Sequence, residues 1–242
     1  MTLRIAMWSG PRNISTAMMR AFENRPDTEV WDEPFYGHYL YKTGIPHPGA
    51  DEVIADQGTD WKDIAGRCLG DPPRGSPIFY QKQMTMHLLP GMERDWIRGL
   101  TNCFLIRRPD EVVASYGRVR SDVTFDDVGF RQQAELFDYV IKVTRAMPLV
   151  IDSRDFLMNP EPMLKAICQR LGIAYRSEMI SWPPGQRDSD GVWGPHWYDS
   201  VWRSTSFEPY TENNPQLEPT LHAVAEESEP YYQALYQHRL IV

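Results

Sequence analysis

Arg12, Ser15 and Thr16 stand in the stretch Trp8-Ser9-Gly10-Pro11-Arg12-Asn13-Ile14-Ser15-Thr16. It follows the alternating, β-prone Leu3-Arg4-Ile5-Ala6-Met7 and precedes a helix-like run, Ala17-Met18-Met19-Arg20-Ala21-Phe22. A strand that feeds a small-polar loop at a helix start is suited to holding phosphate. The loop's N–H groups and the positive end of the helix both face the anion. Here Gly10 and Pro11 supply the turn, Arg12 a fixed charge, and Ser15 and Thr16 hydroxyl donors. The chemistry expected of this segment is the grip of a phosphate group.

The commonest phosphate loop, G-x-x-x-x-G-K-[ST], does not fit. Counted from Gly10, its second Gly falls on Ser15, its Lys on Thr16 and its Ser/Thr on Ala17. The missing Lys removes the charge on the outer phosphates, and the missing hydroxyl removes a magnesium ligand. Metal-dependent kinase or hydrolase chemistry is therefore disfavoured for this loop. A second cluster lies between Arg98 and Arg120, where Arg98, Arg107, Arg108, Arg118 and Arg120 face only Asp110 and Glu111. Taken alone, that run equally fits a solvated face, with Arg107 paired to a carboxylate and Ser115 as an ordinary helix-face serine.

The bulk properties set outer limits. A chain of 242 residues with 42% hydrophobic and 24% charged residues fits one α/β domain. A net charge of −8 argues against a nucleic-acid-binding face and requires any anion site to be locally positive. No apolar run approaches the roughly 18–20 residues of a membrane helix, and no basic-then-apolar leader opens the chain. Cys68, Cys103 and Cys168 are widely spaced, odd in number and set among apolar neighbours, which fits buried free thiols. Together these point to a cytoplasmic protein.

Strands are expected at 3–8, 28–32, 77–82, 102–106 and 149–151. Helices are expected at 15–24, 61–69, 109–118, 126–146, 160–171 and 216–238. Residues 36–60 read as an irregular lid, and 181–214 as an irregular Trp- and Pro-rich segment. Strands alternating with helices imply an α/β fold: three layers, with a mostly parallel central sheet of about five strands covered by helices on both faces. No internal repeat or domain boundary is visible, so residues 1–242 are expected to form a single domain.

The segment after the fourth strand, Arg107-Arg108-Pro109-Asp110-Glu111-Val112-Val113-Ala114-Ser115-Tyr116, resembles the 3′-phosphate-binding motif of the sulfotransferase family. There an Arg ends a strand, a Pro opens the next helix, and a Ser lies eight residues after the Arg. The first loop is similar to that family's 5′-phosphosulfate loop. Arg12 stands where the cytosolic branch has Lys and the bacterial and Golgi-type branches often have Arg; Ile14 stands where many members have Gly. Val150-Ile151-Asp152-Ser153-Arg154-Asp155-Phe156, Pro160-Glu161 and Leu171-Gly172 resemble a third family segment. The resemblance spans roughly residues 3–175 and implies the family's P-loop-like fold.

It also implies a donor, 3′-phosphoadenosine 5′-phosphosulfate (PAPS), and a hydroxyl or amine of a small-molecule or carbohydrate acceptor, with in-line sulfuryl transfer and no required metal. Gly10, Pro11, Asn13, Ser15 and Thr16 would surround the 5′-phosphate, with Arg12 at the transferring sulfuryl group. Arg107 and Ser115 would hold the 3′-phosphate. Glu33, at the end of strand 2, and His87, after strand 3, are the two candidate bases; Met84 stands where the cytosolic branch places its His. Lys82 would contact the sulfuryl oxygens, or else be a surface lysine. The tail from Trp193 to Ser204 would cover the adenine with Arg203 near the 3′-phosphate, or else pack under the last helix. His38, Tyr39 and Tyr41 are candidates for the acceptor wall. The acceptor's identity and the oligomeric state have no readable code. The alternatives are a non-catalytic nucleotide-binding protein on the same scaffold and, further off, a P-loop kinase or hydrolase.

Overall fold

A computed structural model describes residues 2–120 and 122–242. Five strands form one all-parallel sheet: β1 (Leu3–Ser9), β2 (Thr28–Asp32), β3 (Ile78–Met84), β4 (Thr101–Ile106) and β5 (Leu149–Asp152), in the order β2-β3-β1-β4-β5. The fold is α/β, as the alternation of elements requires. Side chains of neighbouring strand residues point to opposite faces. In β1, Ile5 and Met7 join one apolar core while Ala6 and Trp8 join the other. In β4, Cys103 and Leu105 face the first core, and Phe104 and Ile106 the second.

The first core packs under α1 (Ser15–Glu23) and α9 (Pro160–Leu171), and the second under α4 (Trp61–Leu69), α5 (Pro109–Gly117), α7 (Phe130–Thr144) and α12 (Pro219–Tyr236). The chain leaves β1 toward the first face and β4 toward the second. The two loops therefore part at the carboxyl ends of adjacent strands, where open parallel sheets form their ligand crevice.

Two expected elements differ. Residues 36–60 are not irregular: α2 (Tyr36–Thr43) and α3 (Ala50–Gln57) form a pair of short helices. Gly44 and Gly58 follow them at φ of +65° and +78°, and Gln57 ties the pair to the sheet, accepting from Gly37 N and donating to Glu33 O. Eight-residue helices are marginal on their own, so tertiary packing makes them. The helix expected over 126–146 is broken at Gly129 (φ +71°) into α6 (Phe125–Val128) and α7. Within 181–214 lie only two short helices, α10 (Gly194–Trp197) and α11 (Asp199–Arg203). No described helix is long and apolar enough to cross a membrane. All three cysteines are buried and free.

The tail is anchored to α1 by charge. Arg20, buried, donates to both carboxylate oxygens of Asp190 at 2.5 and 2.6 Å, and Trp202 Nε1 donates to the same group at 2.9 Å. Removing one member of a buried pair leaves the other uncompensated. Asp190→Ala, which leaves Arg20 with Glu23 alone, is expected to destabilise the protein by about 3–5 kcal/mol in urea denaturation.

Candidate functional site

A cavity of about 760 Å³ opens at the carboxyl ends of the strands. Its lining includes residues of the first loop, Arg107 and Ser115, Glu33 and Lys82, and the segment Ser206–Asn213. The sequence positions separated by about 95 residues thus meet in one space.

At the β1–β4 side the surface is cationic. Arg12 sits at φ +54°, a left-handed conformation that costs a non-glycine residue energy and marks functional sites. Its Nε donates to Ser115 Oγ at 3.1 Å, and its carbonyl accepts from Arg107 Nη1 at 2.9 Å. No carboxylate among the described residues forms an ion pair with Arg12. Burial, and then the Arg107 charge, lower its pKa, the response of a cation placed where an anion would relieve it. The first turn of α1 carries no side-chain cap, leaving N–H groups at its positive end.

Asn13 serves the loop itself: its amide donates to Leu105 O at 3.0 Å and accepts from Ile14 N at 2.9 Å. Gly10 is required by space, because a Cβ there would lie 2.8 Å from Val128 O. Arg107 also pairs with Glu111 at 2.9 Å, and Tyr210 OH donates to that carboxylate's other oxygen at 2.7 Å. Arg107 is thus both paired to a carboxylate and part of the cavity lining.

At the β2–β3 side lies a buried network. The parallel register sets Asp32 beside Lys82. Lys82 Nζ donates to Asp32 Oδ1 (2.8 Å), Glu33 Oε1 (2.5 Å) and Tyr198 OH (2.7 Å). Tyr198 OH donates to Asp32 Oδ2 at 2.6 Å and accepts from Trp193 Nε1 at 3.0 Å. An ammonium has three donors, and all three of these are engaged. Lys82 is thus buried, not a surface lysine, and it acts on Glu33 rather than offering a free N–H to a ligand. Burial works against its charge, but Asp32 and Glu33 outweigh that and raise its pKa. Glu33 holds φ +39°, again left-handed, as the chain turns from β2 into α2.

Between the two sides the wall is aromatic. His87, buried, stacks on Tyr36 (4.9 Å, 4°) and Tyr39 (4.8 Å, 30°), and Trp193 meets Tyr36 edge-on at 5.2 Å. Burial pushes the His87 pKa well below the ordinary imidazole value, and Lys82 lowers it further. Its Nδ1 has no hydrogen-bond partner among the described residues.

Four sequence expectations are displaced, one of them Tyr39, which stacks on His87 without lining the cavity. Arg203 is exposed, 3.7 Å from Asp199 one helical turn away, and does not line the cavity. His38 is buried and bonded to Thr59 O, and Tyr41 is exposed; Tyr36 and His47 line the wall in their place. The residues missed were Asp32, Tyr36, His47, Tyr198 and Tyr210. Of these only Asp32 had a signal: an acid ending strand 2 and a Lys ending strand 3 are neighbours if the two strands pair in parallel. No described group of His, Cys, Asp and Glu is arranged to hold a metal ion.

His87 makes stability pH-dependent. Its folded pKa lies below the ordinary 6.5, so below that pH the unfolded chain binds a proton that the folded protein refuses. Stability is expected to fall as pH drops from about 6.5, by up to ~1.4 kcal/mol per unit for one such group. Urea denaturation of His87→Phe, which keeps the aromatic stack, should show a shallower slope between pH 6.5 and 5; an unchanged slope contradicts this account.

A family model described as "Sulfotransferase domain" matches residues 3–239. Two curated Arabidopsis thaliana proteins are similar to the chain: "Branched-chain-amino-acid aminotransferase-like protein 1", 31% identical over 236 residues, and "protein 2" of that name, 28% identical over 235. Each match covers 97% of this chain, but the chain spans only about two fifths of those relatives (42% and 41%). Among solved structures, the "Sulfotransferase Domain from the Synechococcus PCC 7002 Olefin Synthase" has a similar fold. Its TM-score is 0.58 at 15% identity, covering 92% of this chain and 93% of that one.

Proposed function

The chain belongs to the sulfotransferase-domain family, and from that premise we propose that it transfers a sulfuryl group from PAPS to a hydroxyl or amine of a small-molecule or carbohydrate acceptor. The observation that carries this reading is Arg12: a part-buried guanidinium without a carboxylate partner among the described residues, beside Arg107 and Ser115 at the start of α1. Two guanidinium groups and an uncapped helix start suit a ligand with separate anionic groups. The cavity volume is within the usual range for a small-molecule site, roughly 300–1,000 Å³.

The bound donor supplies an activated sulfuryl group and a phosphate leaving group. Arg12, Ser15, Thr16 and the first N–H groups of α1 would balance the charge that grows on that phosphate as the S–O bond breaks. Arg107 and Ser115 would hold the 3′-phosphate, which separates this donor from ATP. Glu33 would take the proton of the acceptor hydroxyl, with Lys82 and Asp32 fixing its carboxylate. His87 is the second base candidate, and burial keeps it neutral. Transfer of this kind is positioning and charge stabilisation more than covalent chemistry by the protein. The names of the two curated relatives describe proteins more than twice as long, and no aminotransferase chemistry is proposed for this chain.

The desulfated nucleotide, 3′-phosphoadenosine 5′-phosphate, is expected to raise the melting temperature, by the equivalent of about 2.7 kcal/mol at 100 times its Kd. ATP with magnesium is expected to leave it unchanged; equal stabilisation by ATP would favour a kinase or hydrolase. Glu33→Gln is expected to lower PAPS turnover by about 10²–10⁴-fold while nucleotide binding, measured by calorimetry, stays within a few-fold. Full turnover in that variant would remove Glu33 as the base.

A further inference from the structure

His47, in the connection between α2 and α3, lies between two groups of fixed chemistry. Arg120 Nη1 is 3.4 Å from its Nε2, and the Tyr36 hydroxyl is 2.8 Å from its Nδ1. A guanidinium carries donors and no acceptor, so Nε2 must present its lone pair; an N–H there would face another N–H. The ring is kept neutral, by burial first and by Arg120 second. Its one proton therefore resides on Nδ1, and Nδ1–H donates to the Tyr36 oxygen.

Tyr36 is thus an acceptor toward His47, and its own hydroxyl hydrogen is uncommitted: no described group accepts from it. Tyr36 is buried and lines the cavity with Glu33, His87 and Trp193. Its backbone N–H donates to Glu33 O at 3.0 Å, which places it one turn from the candidate base. The stacked His87 has its own unpartnered buried nitrogen. The wall beside Glu33 is therefore apolar in area but holds polar capacity that the protein leaves unfilled. A site with an aimed, unmatched donor discriminates strongly against ligands lacking the matching acceptor.

We propose that Tyr36 selects the sulfuryl acceptor. Its hydroxyl donates to a second oxygen or nitrogen of the substrate, so the substrate class is a hydroxy compound on an apolar frame with a hydrogen-bond-accepting atom close to the reacting hydroxyl. His47 is a positioning residue that orients the Tyr36 hydrogen, and Arg120 sets the tautomer of His47. The proposal rests on the sulfotransferase reading of this cavity.

The test uses two matched pairs of alcohols, 2-phenoxyethanol against 3-phenylpropan-1-ol and 3-phenoxypropan-1-ol against 4-phenylbutan-1-ol. Within each pair an ether oxygen replaces a methylene. With PAPS as donor, the wild-type enzyme is expected to prefer the ether in at least one pair by about 10-fold or more in kcat/KM. Tyr36→Phe should bring that ratio to about one, by lowering kcat/KM for the ether more than for its methylene partner. His47→Leu should lower the ratio, and His47→Asn, which keeps an N–H near the Nδ1 position, should restore it. A wild-type ratio near one in both pairs, or a ratio unmoved by Tyr36→Phe, overturns the proposal.

If none of the four alcohols is sulfated, they are titrated into the enzyme with 3′-phosphoadenosine 5′-phosphate, and the same ratio is read from their Kd values. Imidazole 15N shifts of His47 give a reading independent of any ligand: Nδ1–H supports the proposal, and Nε2–H overturns it. Failure of the sulfotransferase reading is seen separately, as absence of nucleotide binding in the calorimetry.

Discussion

A single ammonium group, Lys82 Nζ, ties the site to the fold. Taking such a charge out of water costs several kcal/mol, and only well-placed partners offset it. Here the partners come from three parts of the chain: Asp32 at the end of β2, Glu33 at the turn into α2, and Tyr198 in the Trp-rich tail. None can move away without leaving a buried charge exposed to a poor environment. The network therefore holds the tail against the sheet edge, sets the strained turn at Glu33, and fixes the entry of the helical pair that walls the cavity.

The strand order gives this arrangement its polarity. Asp32, Glu33 and Lys82 belong to the ends of β2 and β3; Arg12 and Arg107 follow β1 and β4. In the order β2-β3-β1-β4-β5 these pairs are adjacent blocks, so the crevice runs from a net-negative cluster to a net-positive one, where Glu111 offsets Arg107 and Arg12 has no carboxylate partner among the described residues. In the proposed reaction, the anionic donor would take the cationic side and the acceptor hydroxyl would meet the carboxylate on the other. The aromatic wall of Tyr36, His87 and Trp193 lowers the local polarity between them, which strengthens both fields.

How much of this could be read in advance follows from how local each signal is. The five strands and the flanking helices were legible because their apolar spacing is written in consecutive residues, as in Cys103-Phe104-Leu105-Ile106. That Arg12, Arg107 and Ser115 come together in one cavity was to be expected only from the resemblance of their segments to two family motifs, since taken alone the Arg98–Arg120 run equally fits a solvated face. The α2–α3 pair was not: Tyr36-Gly37-His38-Tyr39 has weak helix propensity, and its helicity comes from packing and from Gln57. Tyr198 and His47 had no local signal, since their roles arise from partners more than 70 residues away, Lys82 and Arg120. Arg203 was misplaced for the same reason: its helix is five residues long, and only tertiary structure decides which way it faces.

The alternation along β1 limits how this molecule can diverge. Ile5 and Met7 belong to one core, Ala6 and Trp8 to the other, and the loop carrying Arg12 starts where that alternation ends. Inserting or deleting one residue before Gly10 would exchange the two cores and swing Arg12 away from Ser115. Changes of chain length are thereby barred from this strand, and substitutions confined to side chains of similar volume. The extended stretch between Phe207 and Pro219, free of helix and strand, carries no such parity. Drift in length belongs there, at the rim of the cavity, as long as Tyr210 still reaches Glu111 beside Arg107.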